Sequence, residues 1–300
     1  MRALVAGVTG VFVLLLTAPV SLSAWALDVH RLITARAIDG LPADLKPYYT
    51  AHAAFISEHA VDPDLWRVVG LKNDRGEEDP NHYLHVDGLD EPRPFTGIPR
   101  SWNAYLARYG ADRATTNGRL PWRTEEIYQL LVARFRDIPK GQPYAADNAG
   151  YLSAVLAHYV EDAHVPFHAV ASYDGQATNQ RGIHARFEGE LVLRNWASFK
   201  RAPVTIRPVG NITEFVFDRL VESEALAEPV LAADRAAIAG RELYDDGYFV
   251  AFAKGARSIA ERRAAEAASS VASVIVAAWN EAGRPALPVK TTPVPARIRR

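Results

Sequence analysis

Cysteine is absent from all 300 residues. That excludes disulfide staples, thiolate metal sites and a cysteine nucleophile together. An excess of one charge is also missing. Lys and Arg number 34 against 35 Asp and Glu, a net charge of −1. No general basic field is present to hold nucleic acid. No convincing run of alternating strand pattern occurs. Two hydrolase signatures are lacking: H-E-x-x-H, which disfavours a zincin protease, and G-x-S-x-G, which would supply a serine nucleophile. Histidine is unevenly placed. All nine lie between His30 and His184, and the last third of the chain has none.

Long apolar runs are confined to the start. Arg2 is followed by the uncharged stretch Ala3 to Val20 and then by small residues ending at Ala24. This pattern predicts a signal peptide over residues 1–24, cut after Ala24, and hence export to the periplasm or outside the cell. An uncleaved membrane anchor is the competing reading. Gly7, Gly10, Pro19 and the missing basic far flank speak against it. No later segment approaches the roughly 20 apolar residues of a membrane helix. An exported chain without disulfides must rest on a large core, on metal, or on both.

The remaining periodicity is helical. Leu32, Ala35 and Ile38 continue from His30 at spacings near three, and Ile127, Leu130, Leu131 and Phe135 mark a helix over 122–135. Asp147 is placed to cap a helix running to about His164, with Leu152, Val155, Leu156 and Tyr159 inward and Pro166 as its stop. Further helices are expected over 183–199, 211–239 and 241–282, with Gly240 between the last two. Long loops are expected at Asn73–Pro99, Ala111–Pro121 and Ala169–Gly182, and long loops in a compact helical domain are often functional. The expected organisation is one all-α domain over 25–284 and a disordered Pro/Arg-rich tail over 285–300.

The chemistry concentrates in HYVEDAHVPFH, residues 158–168. His158 and Asp162 are four apart on a predicted helix and share a face. Pro166 redirects the chain so that His168 can return to the same region. His184 and Glu188 repeat the four-residue spacing on the next helix. A single such pair is usually a surface ion pair or a structural histidine. Two pairs plus His168 point to a metal site, and imidazole with carboxylate suits zinc.

These residues resemble the superfamily that joins zinc-dependent bacterial phospholipase C with the S1/P1 nucleases. His158, Asp162, His168, His184 and Glu188 follow its core pattern in order. Trp25 and His30 match its mature N-terminus, and the segments VDPDLWR (61–67) and PNHYLHVD (80–87) match its intervening Asp and His. Asp64 is preferred over Asp62 for its D-x-x-R context, and His82 over His85 for N-H-Y-L. The resemblance implies the helical fold of that superfamily, long loops around a metal cluster, and three zinc ions. It implies that Asp64, His82, His158 and Asp162 hold the first zinc and His168, His184 and Glu188 an open second. The third falls to His30 and to Trp25, through an α-amino group that exists only after the leader is cut, with Asp162 bridging first and third. It further implies hydrolysis by a zinc-activated water, with Asp64 or Asp162 orienting it. The departures are Glu161 where the family has Gly, His85 where it has Asp, and the absent Gly-Gly-Asn segment.

Around these, Tyr83, His85, Phe167 and Tyr173 are candidate substrate contacts, with hydrophobic packing as the alternative. His164 reads as structural, and His52 and His59 as two positions on one helical face. Arg186 reads either as a phosphate clamp or as a solvated surface residue. The leading expectation is a monomeric zinc phosphodiesterase acting on single-stranded nucleic acid or nucleotides. Phospholipase C is the alternative within the same chemistry. A non-catalytic, zinc-stabilised surface protein is the alternative of another class.

Overall fold

The computed structural model describes residues 27–73 and 76–290. The predicted leader, Trp25 and most of the predicted tail lie outside the described residues. Twelve helices follow in order: α1 (Leu27–Asp39), α2 (Lys46–Ala51), α3 (Ala53–His59), α4 (Asp62–Val68), α5 (Trp102–Tyr109), α6 (Ala111–Asn117), α7 (Leu120–Asp137), α8 (Ala145–Asp162), α9 (Ile183–Ala185), α10 (Val192–Asn195), α11 (Ile212–Ile238) and α12 (Asp246–Glu281). The described sheet is one antiparallel pair of short strands, β1 (Lys72–Asn73) with β2 (Gly76–Glu77). The fold is all-α. No helix among the described residues is long and apolar enough to cross a membrane.

Helix α8 is the axis of the core. Every residue from 153 to 170 is buried. A helix buried on all sides must be apolar or small nearly throughout, and Ala149, Ala154, Val155, Leu156, Ala157 and Val160 meet that need. α7 packs along one side, α3 and α1 along others, and α12 closes the bundle. Polar residues that α8 carries in its last turn are therefore held in a dry interior.

The sequence expectations need several corrections. Tyr144, at φ 61, occupies the N-cap position of α8 without a side-chain capping bond, and Asp147 sits in the first turn. Leu130 is 49% exposed, and α1 buries Val29, His30, Ile33 and Thr34 in place of Leu32 and Ala35. Residues 111–117 form α6 where a loop was expected. His52 falls between α2 and α3, so it and His59 do not share one helix. The single helix expected over 183–199 is broken by a π-helical stretch, Arg186–Leu191, and ends in a 3-10 turn at Trp196–Ser198. Single-turn π segments inside helices often mark functional sites.

Arg186 is neither a clamp nor a surface residue. It is 6% exposed, donates to Asp234 Oδ1 at 3.1 Å, and lies 3.8 Å from the Tyr244 ring centroid. Gln180 donates to Asp234 Oδ2 at 2.6 Å, and Tyr248 donates to Oδ1. This buried network ties the loop before α9 and the π segment to α11 and α12. Removing one partner of a buried pair strands the other charge, at about 3–5 kcal/mol. We expect Asp234→Ala to lower unfolding stability by that amount and Asp234→Asn by less, as read from urea denaturation. A loss below about 1 kcal/mol in the alanine variant, the range of an exposed pair, would show that the pair contributes little.

Candidate metal centre

Three groups of side chains have potential ligand atoms close enough to hold a metal ion: His30, Asp64 and His158; His82, His158 and Asp162; and His168, His184 and Glu188. The sequence-predicted ligands other than Trp25 are thus brought together, although Asp64 groups with His30 and His158 where the resemblance placed it with His82 and Asp162. Asp62 instead pairs with His59 at 2.9 Å, outside these groups.

Local geometry explains how each side chain arrives. Val165 precedes Pro166 and is extended, at ψ 122, so the helix cannot continue through it. The chain turns through Pro166–His168 and returns His168 to the end of α8. Residues 82–86 are stitched between two neighbours. Leu84 N–H donates to His168 O at 3.0 Å, His85 N–H to Asn117 O at 2.8 Å, and Val86 N–H to Ala169 O at 3.0 Å. Gly118, at φ +91, makes this approach possible, since a Cβ there would lie 2.1 Å from the Tyr83 carbonyl oxygen.

Backbone carbonyls set the tautomers. His158 Nδ1–H donates to Ala60 O at 2.8 Å, and His168 Nδ1–H donates to His82 O at 2.6 Å. Each neutral ring then keeps its Nε2 lone pair for another partner, as metal-binding histidines do. His158 Nε2 lies 3.0 Å from His82 Nδ1 and 3.2 Å from Asp162 Oδ2. His82 Nδ1 lies 3.0 Å from the same oxygen. An ion about 2.0–2.1 Å from tetrahedral N and O ligands needs them about 3.3–3.4 Å apart. The three edges are close to that. A single His82 proton cannot serve both acceptors, whereas one cation can serve all three atoms.

Asp162 faces two ways. Its Oδ1 lies 3.7 Å from His30 Nε2. In the outer group His184 Nε2 and His168 Nε2 lie 3.0 and 3.8 Å from Glu188 Oε2. Among the described residues, eleven buried side-chain polar atoms have no hydrogen-bond partner, and seven belong to this cluster: His30 Nε2, both Asp64 oxygens, His82 Nε2, Asp162 Oδ1, His184 Nε2 and Glu188 Oε2. Buried polar atoms are normally satisfied. Six of these atoms, leaving aside His82 Nε2, which lies 3.8 Å from Glu78 Oε1, mark the centre as a place for cations, and the donor set fits zinc.

Burial sets the electrostatics. It holds the His30, His82 and His168 imidazoles well below the usual range, so they stay neutral and ready to ligate. It pushes Asp64 up to about 6, against the opposing pull of His158 and Arg67, and Asp162 well above its ordinary value. Arg67 Nη2 lies 3.3 Å from Asp64 Oδ1.

The other predicted residues divide. His85 is stacked between Tyr83 and Tyr173, with centroids 4.4 and 5.7 Å away and planes within 9° and 6°. It belongs to none of the three groups. Burial, with His184 nearby, lowers it to about 4. Tyr173 is exposed, whereas Phe167 is fully buried against Phe187 and His184, behind the site. His164 donates to Val160 O at 2.8 Å and meets Ser270 Oγ at 3.0 Å, tying α8 to α12. Sequence reasoning missed Glu78 and noted Glu161 only as standing where the resembled family has Gly; both are buried acids. Glu161 contacts His30, and Glu78 accepts from the Tyr159 hydroxyl. Glu78 lies between Glu77 and Asp79, and Glu161 between Val160 and Asp162, so neither announces its burial in the sequence.

A scan against protein-family models finds no match, and a search of curated proteins finds none.

Metal uptake should depend on pH in a definite direction. The buried histidines are already neutral near pH 6, so they release no proton on binding. Asp64, raised to about 6, is protonated below that pH and must ionise to ligate. Affinity should therefore rise with pH through 6 and fall about tenfold per unit below it from this carboxyl alone. Zinc titration calorimetry between pH 5 and 7.5 checks it. A flat profile would contradict the assignment.

Proposed function

We propose that this chain is an exported, zinc-dependent phosphodiesterase with the fold and chemistry of the phospholipase C/S1-P1 nuclease superfamily, acting on single-stranded nucleic acid or nucleotides. The observation that carries it is the trio of His/carboxylate groups around Asp162, whose orphaned atoms converge in a buried centre. The sequence order of these residues and the leader over 1–24 support the same reading.

Three zincs would be held by this set. Asp64, His82, His158 and Asp162 would take one, and His168, His184 and Glu188 another. His30 and Asp162, with Trp25, would take the third. Zinc supplies Lewis acidity and a water made acidic enough to ionise near neutral pH. The chain's own residues do the rest. The Asp64 carboxylate, steadied by Arg67, accepts a proton from the attacking water. The His184 side chain is 19% exposed, against 0–3% for the other ligands, so a phosphate would enter beside it. Tyr173, exposed beside His85, offers a flat ring at the same opening.

Phospholipase C is the second reading. Glu188 in place of Asp and the short span between His168 and His184 favour it.

Zinc-replete protein should hydrolyse single-stranded DNA faster than phosphatidylcholine, and the reverse ranking selects the lipase reading. Inactivity on both, on nucleotides and on an aryl phosphodiester would sink the enzyme reading. Asp64→Asn should lower the rate by about 10²–10⁴-fold, the range for a lost general base. By elemental analysis, Asp162→Ala should lose two zincs and Glu188→Ala one. Equal loss in both would contradict the bridging role of Asp162.

A further inference from the structure

We propose that Glu161 is a positioning residue for His30: a buried carboxylate that holds the imidazole with Nδ1–H outward and the Nε2 lone pair toward Asp162. The inference rests on the metal-centre reading above and extends it to a residue that none of the three ligand groups contains.

Glu161 immediately precedes Asp162 in the last turn of α8. Successive residues on a helix point about 100° apart. The two adjacent acids therefore face different neighbours, Asp162 the cluster and Glu161 the flank of α1. Glu161 is fully buried, where an unpaired carboxylate is costly. Here both oxygens are engaged. Oε2 lies 2.6 Å from His30 Nδ1, and Oε1 accepts from Thr34 Oγ1–H at 2.7 Å. His30 and Thr34 are four apart on one face of α1, so the carboxylate bridges a single helical turn.

Two contrasts separate Glu161 from a ligand. Asp64, Asp162 and Glu188 each leave at least one oxygen without a partner, whereas Glu161 leaves none. A carboxylate held at both oxygens by α1 cannot swing into the cluster. His30 is the reverse case, because its Nε2 has no hydrogen-bond partner. Its ring is stacked on His158, centroids 4.0 Å apart and planes 22° apart, which fixes the ring plane.

Carbonyl oxygens orient His158 and His168. His30 receives a carboxylate instead, a stronger acceptor for its proton. A carboxylate behind a ligating imidazole fixes the tautomer and raises the basicity of the other nitrogen. Thr34 in turn fixes the carboxylate. The chain Thr34–Glu161–His30 thus makes the His30 subsite tighter than a ring left free to turn.

The test uses the full chain with zinc alone as the probe. In titration calorimetry, Glu161→Ala should weaken by about 10–100-fold the zinc equivalent that His30→Ala removes. The equivalent that depends on Glu188 should not change. Glu161→Gln, which keeps the shape and the hydrogen bonds, should recover part of the loss. Thr34→Val should show a smaller loss at the same equivalent. In a His30→Ala background, Glu161→Ala should have no further effect on zinc affinity. In the zinc-loaded wild type, ¹⁵N-resolved histidine spectra should find His30 protonated at Nδ1. If Glu161→Ala does not fold, the Gln and Val variants carry the comparison. Uniform weakening of all equivalents, no weakening, or a His30 Nδ1 without its proton overturns the inference alone. A chain that takes up no zinc removes the metal reading and this inference with it.

Discussion

Asp162 Oδ2 lies 3.0 Å from His82 Nδ1 and 3.2 Å from His158 Nε2, deep inside the helical bundle. Much of the fold answers to that contact. A carboxylate taken out of water needs a counter-charge and full hydrogen bonding, or it is forced to take a proton. Neutral imidazoles give it no counter-charge. The fold nonetheless buries three acids and five histidines together, one histidine only partly. Such a core would be stable with cations completing it, and most of the orphaned atoms would then be coordination positions. In that state the metals become part of the stability of a chain that has no disulfide.

The scaffold imposes the arrangement through backbone groups. The carbonyls of Ala60 and His82 each take an Nδ1 proton, and each therefore aims an Nε2 inward. The His82 carbonyl belongs to a residue that itself faces the cluster, so placing one candidate ligand also places another. That segment lies where it does because its amides bond to residues after α8 and before α7. The dense packing of α8 makes the whole set rigid, since no neighbour has room to give.

How much of this was legible in the sequence follows from the distance over which each feature acts. His158 with Asp162, and His184 with Glu188, are helical neighbours, so their spacing shows in the chain. The return of His168 follows from Pro166, a local effect. Choosing Asp64 over Asp62 needed short context, and in three dimensions Asp62 is taken up by His59. The failures at the site and its supports are long-range. Arg186 and Asp234 are 48 positions apart, so nothing near Arg186 announced its burial. The π stretch at 186–191 packs against α12, a contact with a distant segment that its own spacing does not show. The partners of Glu161 lie more than a hundred residues away on α1. A glutamate flanked by Val160 and Asp162 reads as an odd charge until that helix is in place.

The two ends of the cluster differ physically. At the inner end, His30 is fully buried, stacked on His158 and braced by a carboxylate. At the outer end, His184 is partly exposed and sits on a helix broken by the π stretch. A ligand reaching the centre must therefore meet the outer group first, and the inner group can act on it only through the shared middle. Asp162 occupies that middle, with one oxygen toward the His82–His158 pair and the other toward His30. A gradient from braced to open fits the proposed reactive centre, in which charge would be held fixed at one end while a substrate comes and goes at the other. A purely structural ion would be better served by closing both ends.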